Sequence, residues 1–369
     1  MKKPRVALCL PGGGVTGAMF QIGALAALED SLEAVHVNQF DVYIGSSSGA
    51  SVAAALAGGR PVQRIYRAFL DPADQYFPLE RSHILKMDLA EWKRMVGSGL
   101  RALRQGSRDF LASARPSPSA LWEELARLYD SLPAGLFHLE TYERFLADFF
   151  SRRGVPNSFK LLPRELLIMA HDLDSGQPVL FGYKGFEHVP VSRACIASMA
   201  IPPFFSPVRI GDRHYIDAGI GSVSHLDAAV QRGAQIILLV NPMVPVRADR
   251  FPTGHGERPS IRHKGSMWVA NQANRIITHA HLHQAINRLR HDGDAEVIVI
   301  EPEPTDAILF MHNPASFGAR RSILEYAYRT TRERVNDWLQ QGRSSVRRAG
   351  WRQRIDERHA GKRPAEESS

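Results

Sequence analysis

Cysteine is scarce. The chain has only Cys9 and Cys195, both in apolar segments. Two such residues make no disulfide framework and fit a reducing compartment. Long hydrophobic runs are missing too. No stretch of about 20 apolar residues occurs, which excludes a transmembrane helix by the usual length criterion. The basic start, Met1 to Arg5, leads into the short apolar run Val6–Leu10 and then three glycines. That run is too short for a secretory signal and reads as a first core strand. Acid is in deficit: 38 Asp and Glu stand against 46 Lys and Arg, a net charge of +8. Such a balance suits nucleic acid or an anionic membrane. No nucleic-acid motif accompanies it, and a solvated basic surface explains the charge equally well. Internal repeats are absent. What remains is ordinary globular composition, 44% hydrophobic and 23% charged over 369 residues. That is enough for one large domain or two.

Against this background two glycine-rich turns stand out. Pro11-Gly12-Gly13-Gly14-Val15-Thr16-Gly17 follows the run Val6–Leu10. Gly45-Ser46-Ser47-Ser48-Gly49 follows Val42–Ile44. Each precedes a stretch of small helix-forming residues. Strand, glycine turn and helix, occurring twice, bring two helix N-termini to one end of a sheet. The second turn has a serine at the centre of G-x-S-x-G. In a nucleophile elbow a sharp strand-to-helix turn exposes that hydroxyl. The first turn offers backbone N–H groups and helix-dipole charge to a developing oxyanion. Two other readings compete. Gly12 to Gly17 also satisfies G-x-G-x-x-G, the dinucleotide fingerprint, but the second strand lacks the acid that fingerprint wants at its tip. Ser47 could also be a plain helix N-cap.

A third segment bears on the choice. Ala197-Ser198-Met199-Ala200-Ile201-Pro202-Pro203-Phe204-Phe205-Ser206-Pro207 is followed by Tyr215-Ile216-Asp217-Ala218-Gly219. With the two glycine turns, and with Ala170-His171-Asp172-Leu173-Asp174-Ser175-Gly176, this order of motifs resembles the patatin-like phospholipases, over about residues 5–242. The resemblance implies an α/β, three-layer fold: a mainly parallel central sheet flanked by helices, with a helical insertion. It implies lipid acyl hydrolysis by a dyad, Ser47 as nucleophile and Asp217 as its base. Gly12, Gly13 and Gly14 become the oxyanion turn, with Gly17, Gly45, Gly49 and Gly219 as supporting motif positions. It implies no cofactor and no metal. The chain departs from the family at three places. Thr16 stands where Lys or Arg is usual, Ala218 follows the aspartate instead of Gly, and Gly221-Ser222-Val223-Ser224-His225 replaces an Asn and Pro segment. These motivate one alternative class, a non-catalytic lipid- or protein-binding module on a decayed hydrolase. A nucleotide-binding oxidoreductase is the other.

Free aspartate, with a pKa near 3.9, is a weak base for a serine hydroxyl. The dyad therefore demands a partly desolvated carboxylate and a strong oxyanion site. His214 and His225, near Asp217 in sequence, leave a Ser–His–Asp triad conceivable. His279 and His283 are four apart on a helical stretch, a spacing that can hold a metal. Without an accompanying carboxylate motif they read as a solvated face. The expected organisation is a hydrolase domain over 1–340, with a helical insertion at 60–160 and a charged, disordered tail at 341–369. The basic stretch Arg81 to Arg115 within the insertion is either a membrane-facing surface or a helix packed on the core. Residues 245–265 read as a mobile loop. The expected partners are a lipid ester and an anionic membrane at the periphery, with no nucleic acid. The expected place is the cytoplasm or the membrane surface.

Overall fold

The computed structural model describes residues 3–33, 35–71, 73–87, 92–93, 133–220, 225–247, 260–306, 308–311, 318–342 and 344–354. Their centre is an eight-stranded sheet. Its strands are β1 (Val6–Leu10), β2 (Val42–Ser46), β3 (Glu165–Asp172), β4 (Pro178–Phe181), β5 (Val208–Ile210), β6 (Arg213–Asp217), β7 (Ile236–Val240) and β8 (Glu296–Ile300). The order is β8-β7-β1-β2-β3-β6-β5, and β4 also pairs with β3. Strands β8, β7, β1, β2 and β3 run parallel. The β4, β6 and β5 pairings are antiparallel.

The central strands are continuous apolar runs because both sheet faces are covered. In β1, Val6, Leu8 and Leu10 enter one core, while Ala7 and Cys9 enter the other. The first core is closed by α1 (Gly14–Ser31), α2 (Ser48–Ala57), α3 (Val62–Leu70), α4 (Glu140–Arg152), α5 (Val191–Met199) and α8 (Arg320–Gln340). The second is closed by α6 (His225–Gln231) and α7 (Ser266–Asp292). This is the expected three-layer α/β arrangement. Helix α1 is apolar on nearly all sides and accordingly buried between the sheet and α8. The two cysteines lie apart, in β1 and α5, both free and buried. Burial pushes both thiols up, that of Cys195 to about 12.

The described part of the 60–160 segment supplies core residues through two helices. Ile65 and Phe69 of α3 and Phe145, Phe149 and Phe150 of α4 join the first cluster. Of the basic stretch 81–115, Arg81, Lys86 and Lys93 are exposed, and Arg94, Arg101, Arg104, Arg108 and Arg115 lie outside the described residues. Of the expected disordered tail at 341–369, residues 355–369 lie outside the described residues, and the expectation needs correcting over 344–354, where Ser344–Arg348 is helical and Arg352–Gln353 pairs with Leu32–Glu33. A few apolar anchors in a charged segment do this, chiefly Trp351, stacked on Phe40 at 6.1 Å between ring centroids. Of the expected mobile loop at 245–265, residues 248–259 lie outside the described residues, and only its two ends are seen. Gln272 of α7 donates to Val246 O, and Ile261–Lys264 is a 3-10 turn.

Helices α1 and α8 touch through Gly23. A Cβ there would stand 2.5 Å from Leu324 O and 3.0 Å from Ala327 Cβ. Gly23→Val should therefore destabilise the fold by about 1–3 kcal/mol through overpacking. Urea denaturation of the variant against the parent measures it.

Candidate active site

Strand β2 ends at Ser46 and α2 begins at Ser48, so the whole reversal falls on Ser47. Its φ of 51° makes it the one non-glycine residue with positive φ among those described. Such a backbone is held only when its surroundings over-determine it. Here they do. A Cβ at Gly49 would stand 2.1 Å from Leu10 O, and one at Gly45 would stand 2.7 Å from Ala50 Cα. Both glycines let α2 press against the ends of β1 and β2. From the opposite side, Ser47 N–H donates to Ser198 Oγ at 2.8 Å, and Ser198 donates to Met169 O at 2.5 Å. Ser47 forms no side-chain cap on α2. The plain N-cap reading is thereby set aside.

The first glycine turn lies directly against this serine. A Cβ on Gly12 would stand 2.6 Å from Ser47 Cβ and 3.2 Å from its Oγ. Gly13 and Gly14 have φ of 155° and 64°. Gly17, one turn into α1, sits with Gly13 against Pro242. Gln21 donates to Pro11 O at 2.5 Å and to Val240 O at 3.3 Å, fixing the turn to the sheet. Thr16 is buried, its hydroxyl 3.4 Å from Gly13 O. A neutral residue thus fills the place where the family usually carries a cation. Neither α1 nor α2 has a side-chain cap or an acid in its first turn. Both helix N-termini therefore keep an uncompensated partial positive charge.

Asp217 closes the group from β6. Its N–H donates to Ala200 O at 3.0 Å, and its Oδ1 accepts the Gly219 N–H at 2.7 Å. The carboxyl is buried, and desolvation raises its pKa to about 6, opposed by hydrogen bonds from the Ser47 hydroxyl and the Gly219 N–H. The Ala218 departure is accommodated, since that side chain is buried in the second core. The register of β6 is held by the Asp172 turn. Asp172 accepts the N–H groups of Asp174 and Ser175 and pairs with Arg213 at 2.6 Å.

Neither neighbouring histidine joins Ser47. His225 Nε2 lies 3.0 Å from Ser46 Oγ, and burial lowers its pKa to about 4, so the ring is neutral. His214 is solvent-facing, with Nδ1 3.7 Å from Asp174. Ser198 is the residue that sequence reasoning passed over. It sits in the quoted Ala197–Ala200 motif, but its bond to the elbow appears only once α5 folds over β3.

Ser47, Asp217 and Gly12–Gly14 open into a cavity of about 910 Å³. Its walls are mainly apolar, including Met19, Ile22, Phe69, Phe77 and Phe149, and α7 closes one side with Trp268 and Leu282. The volume suits a large apolar ligand.

The patatin-like phospholipase family model matches residues 8–230. The chain belongs to the patatin-like phospholipase family. It is 26% identical over 234 residues to a cGAMP-activated phospholipase of Escherichia coli (strain TW11681), a match covering 59% of this chain. The match covers 53% of that relative, so the chain spans about half of its length. Among solved structures, VipD from Legionella pneumophila superposes with a TM-score of 0.37 at 14% identity, over 91% of this chain and 67% of that one. A human GIVD cytosolic phospholipase A2 gives 0.34 at 12%, over 94% and 60%.

The buried carboxyl makes a stability prediction that is independent of catalysis. A raised native pKa costs nothing below the unfolded value near 3.9. The cost grows from there to about 6 and is constant above. Asp217→Asn should therefore be more stable than the parent at pH 8, by up to roughly 3 kcal/mol, with the gain vanishing near pH 4. Thermal melts at both pH values check it.

Proposed function

We propose that this chain is a lipid acyl hydrolase that works through a Ser47–Asp217 dyad and an oxyanion hole built on the Gly12–Gly14 turn. One observation carries the reading. The strained serine meets a desolvated carboxyl beneath two uncapped helix N-termini, at the head of a largely apolar cavity. Family membership supports the lipid hydrolase class.

In this mechanism Ser47 Oγ attacks the ester carbonyl carbon while its proton passes to Asp217. A carboxylate with a pKa of about 6 suits that task far better than one near 3.9. The tetrahedral oxyanion is held by backbone N–H groups of the glycine turn, which need no reorganisation when charge develops. Protonated Asp217 then gives the proton to the departing alkoxide, leaving an acyl-serine. Water attacks the acyl carbon with Asp217 again taking a proton, and that proton returns to Ser47 as the fatty acid leaves. The apolar cavity holds the acyl chain, and its burial from water supplies the binding energy.

Labelling with a fluorophosphonate probe is the deciding test. The parent should react and Ser47→Ala should not. Asp217→Asn should lose orders of magnitude in p-nitrophenyl ester turnover, while His214→Gln loses little. The rate should fall with one proton as pH drops through about 6, because the base must be ionised. Absence of labelling in the folded parent would favour the non-catalytic binding module.

The same reading extends to the membrane. Helix α7 lines the cavity with one side, Met267 included, while Val269, Ile276 and Ile277, which do not line it, are 47–52% exposed. Arg262 and Lys264 stand just before it, and Lys264 lies over the Trp268 ring. No helix among the described residues is long and apolar enough to cross a membrane. An exposed apolar stripe with adjacent cations suits peripheral contact with anionic lipid. Vesicle binding should rise with anionic lipid content, fall with salt, and weaken in Ile276→Ser/Ile277→Ser. Binding indifferent to all three changes would refute membrane contact by this face.

A further inference from the structure

Helix α7 has a second functional side, turned away from the cavity. Thr278, His281 and Leu282 line the cavity, whereas His279, His283 and Glu301 do not. His279 and His283 lie one helical turn apart, with ring centroids 4.2 Å from each other. Glu301, just past the end of β8, completes the cluster. Its carboxylate oxygens are both 3.2 Å from His283 Nε2, and Oε1 is 3.7 Å from His279 Nε2. All three donor groups fall within 4.8 Å of one another and are half-buried.

We propose that these three residues form a structural site for a borderline divalent transition metal, zinc being the first choice. The donor spacing supports this. Four ligands at about 2.0–2.1 Å in a tetrahedron are roughly 3.3–3.4 Å apart, and the Nε2-to-oxygen separations of 3.2 and 3.7 Å bracket that edge. Two imidazoles and one carboxylate match such a metal better than calcium or magnesium, which prefer all-oxygen shells. An outer shell is also in place. Buried Asn241 donates to Glu301 Oε1 at 2.7 Å and orients the carboxylate, the role hydrogen-bonded neighbours play around metal ligands. The nearby cation Arg334 is directed elsewhere, to Glu301 O and to the Glu303 carboxylate. Solvent would fill the fourth position.

The ion would fasten α7 to the end of β8. Because α7 is a wall of the cavity, the metal would stiffen that wall without entering the ester chemistry, and the inference stands independently of the Ser47–Asp217 reading.

The test uses tag-free full-length protein. After chelation and desalting, isothermal titration with zinc should show one site per chain. Zinc at about a hundred times its Kd should raise Tm by roughly 3–4 °C. Cobalt(II) should give visible d–d bands of a nitrogen- and oxygen-ligated site. Glu301→Gln and His283→Ala, each verified as folded by circular dichroism, should weaken zinc binding by more than tenfold. Glu301→Gln nearly conserves shape, so it guards against a folding failure of the histidine variant. No zinc binding by the parent, or binding unchanged in folded Glu301→Gln, would overturn the site and leave a hydrogen-bonded His–Glu cluster.

Discussion

The arrangement depends on how closely the N-terminus of α2 approaches the end of β1. There is no room for a single carbon between Gly49 and the Leu10 carbonyl. That contact sets the helix beside the strand end from which the first glycine turn departs. The same approach brings Gly12 against Ser47. The Ser47 turn and the first glycine turn therefore share one steric constraint. The positive φ at Ser47 is held by the close contacts at Gly45 and Gly49 and by the hydrogen bond from Ser47 N–H to Ser198.

Asp217 shows the complementary economy. A buried carboxylate is unfavourable, and its neighbours offset that only partly, with one backbone N–H and one serine hydroxyl. A cation in the position of Thr16 would add positive charge beside the first glycine turn, whereas buried Thr16 adds none. The neutral His225 beneath Ser46 fits the same pattern. Among the described residues lining the cavity Asp217 is the one carboxyl, set in a mainly apolar wall.

Much of this was readable in the residues. Continuous apolar runs at Val6–Leu10 and Ile236–Val240 marked parallel central strands, because burial on both faces removes alternation. The glycine turns were readable because few residue types tolerate their geometry. Other features were hidden for physical reasons. Helix α5 and strands β5 and β6 are short and mixed in composition, so no period announced them. Ser198 acts across 151 positions of sequence, a distance no local pattern spans. The His279–His283 pair was visible as a spacing, but Glu301 comes from a separate strand and joins it only through the packing of α7 on β8. The charged residues 344–354 looked disordered by composition, yet a few anchors such as Trp351 outweigh their average.

Helix α7 unites these threads. Its buried Arg275 donates to Pro242 O and Val244 O at 3.0 Å each, and Pro242 packs against Gly13 and Gly17 of the first glycine turn. Asn241, one residue earlier, donates to Glu301, which meets His283 of the same helix. The segment following β7 is thus gripped from α7 at two points, a guanidinium and a carboxylate–imidazole cluster. A shift of α7 along its axis would pull on Pro242, and through it on the turn beside Ser47. The cavity wall formed by α7 and the glycine turn beside Ser47 are thus joined through packed side chains and backbone carbonyls.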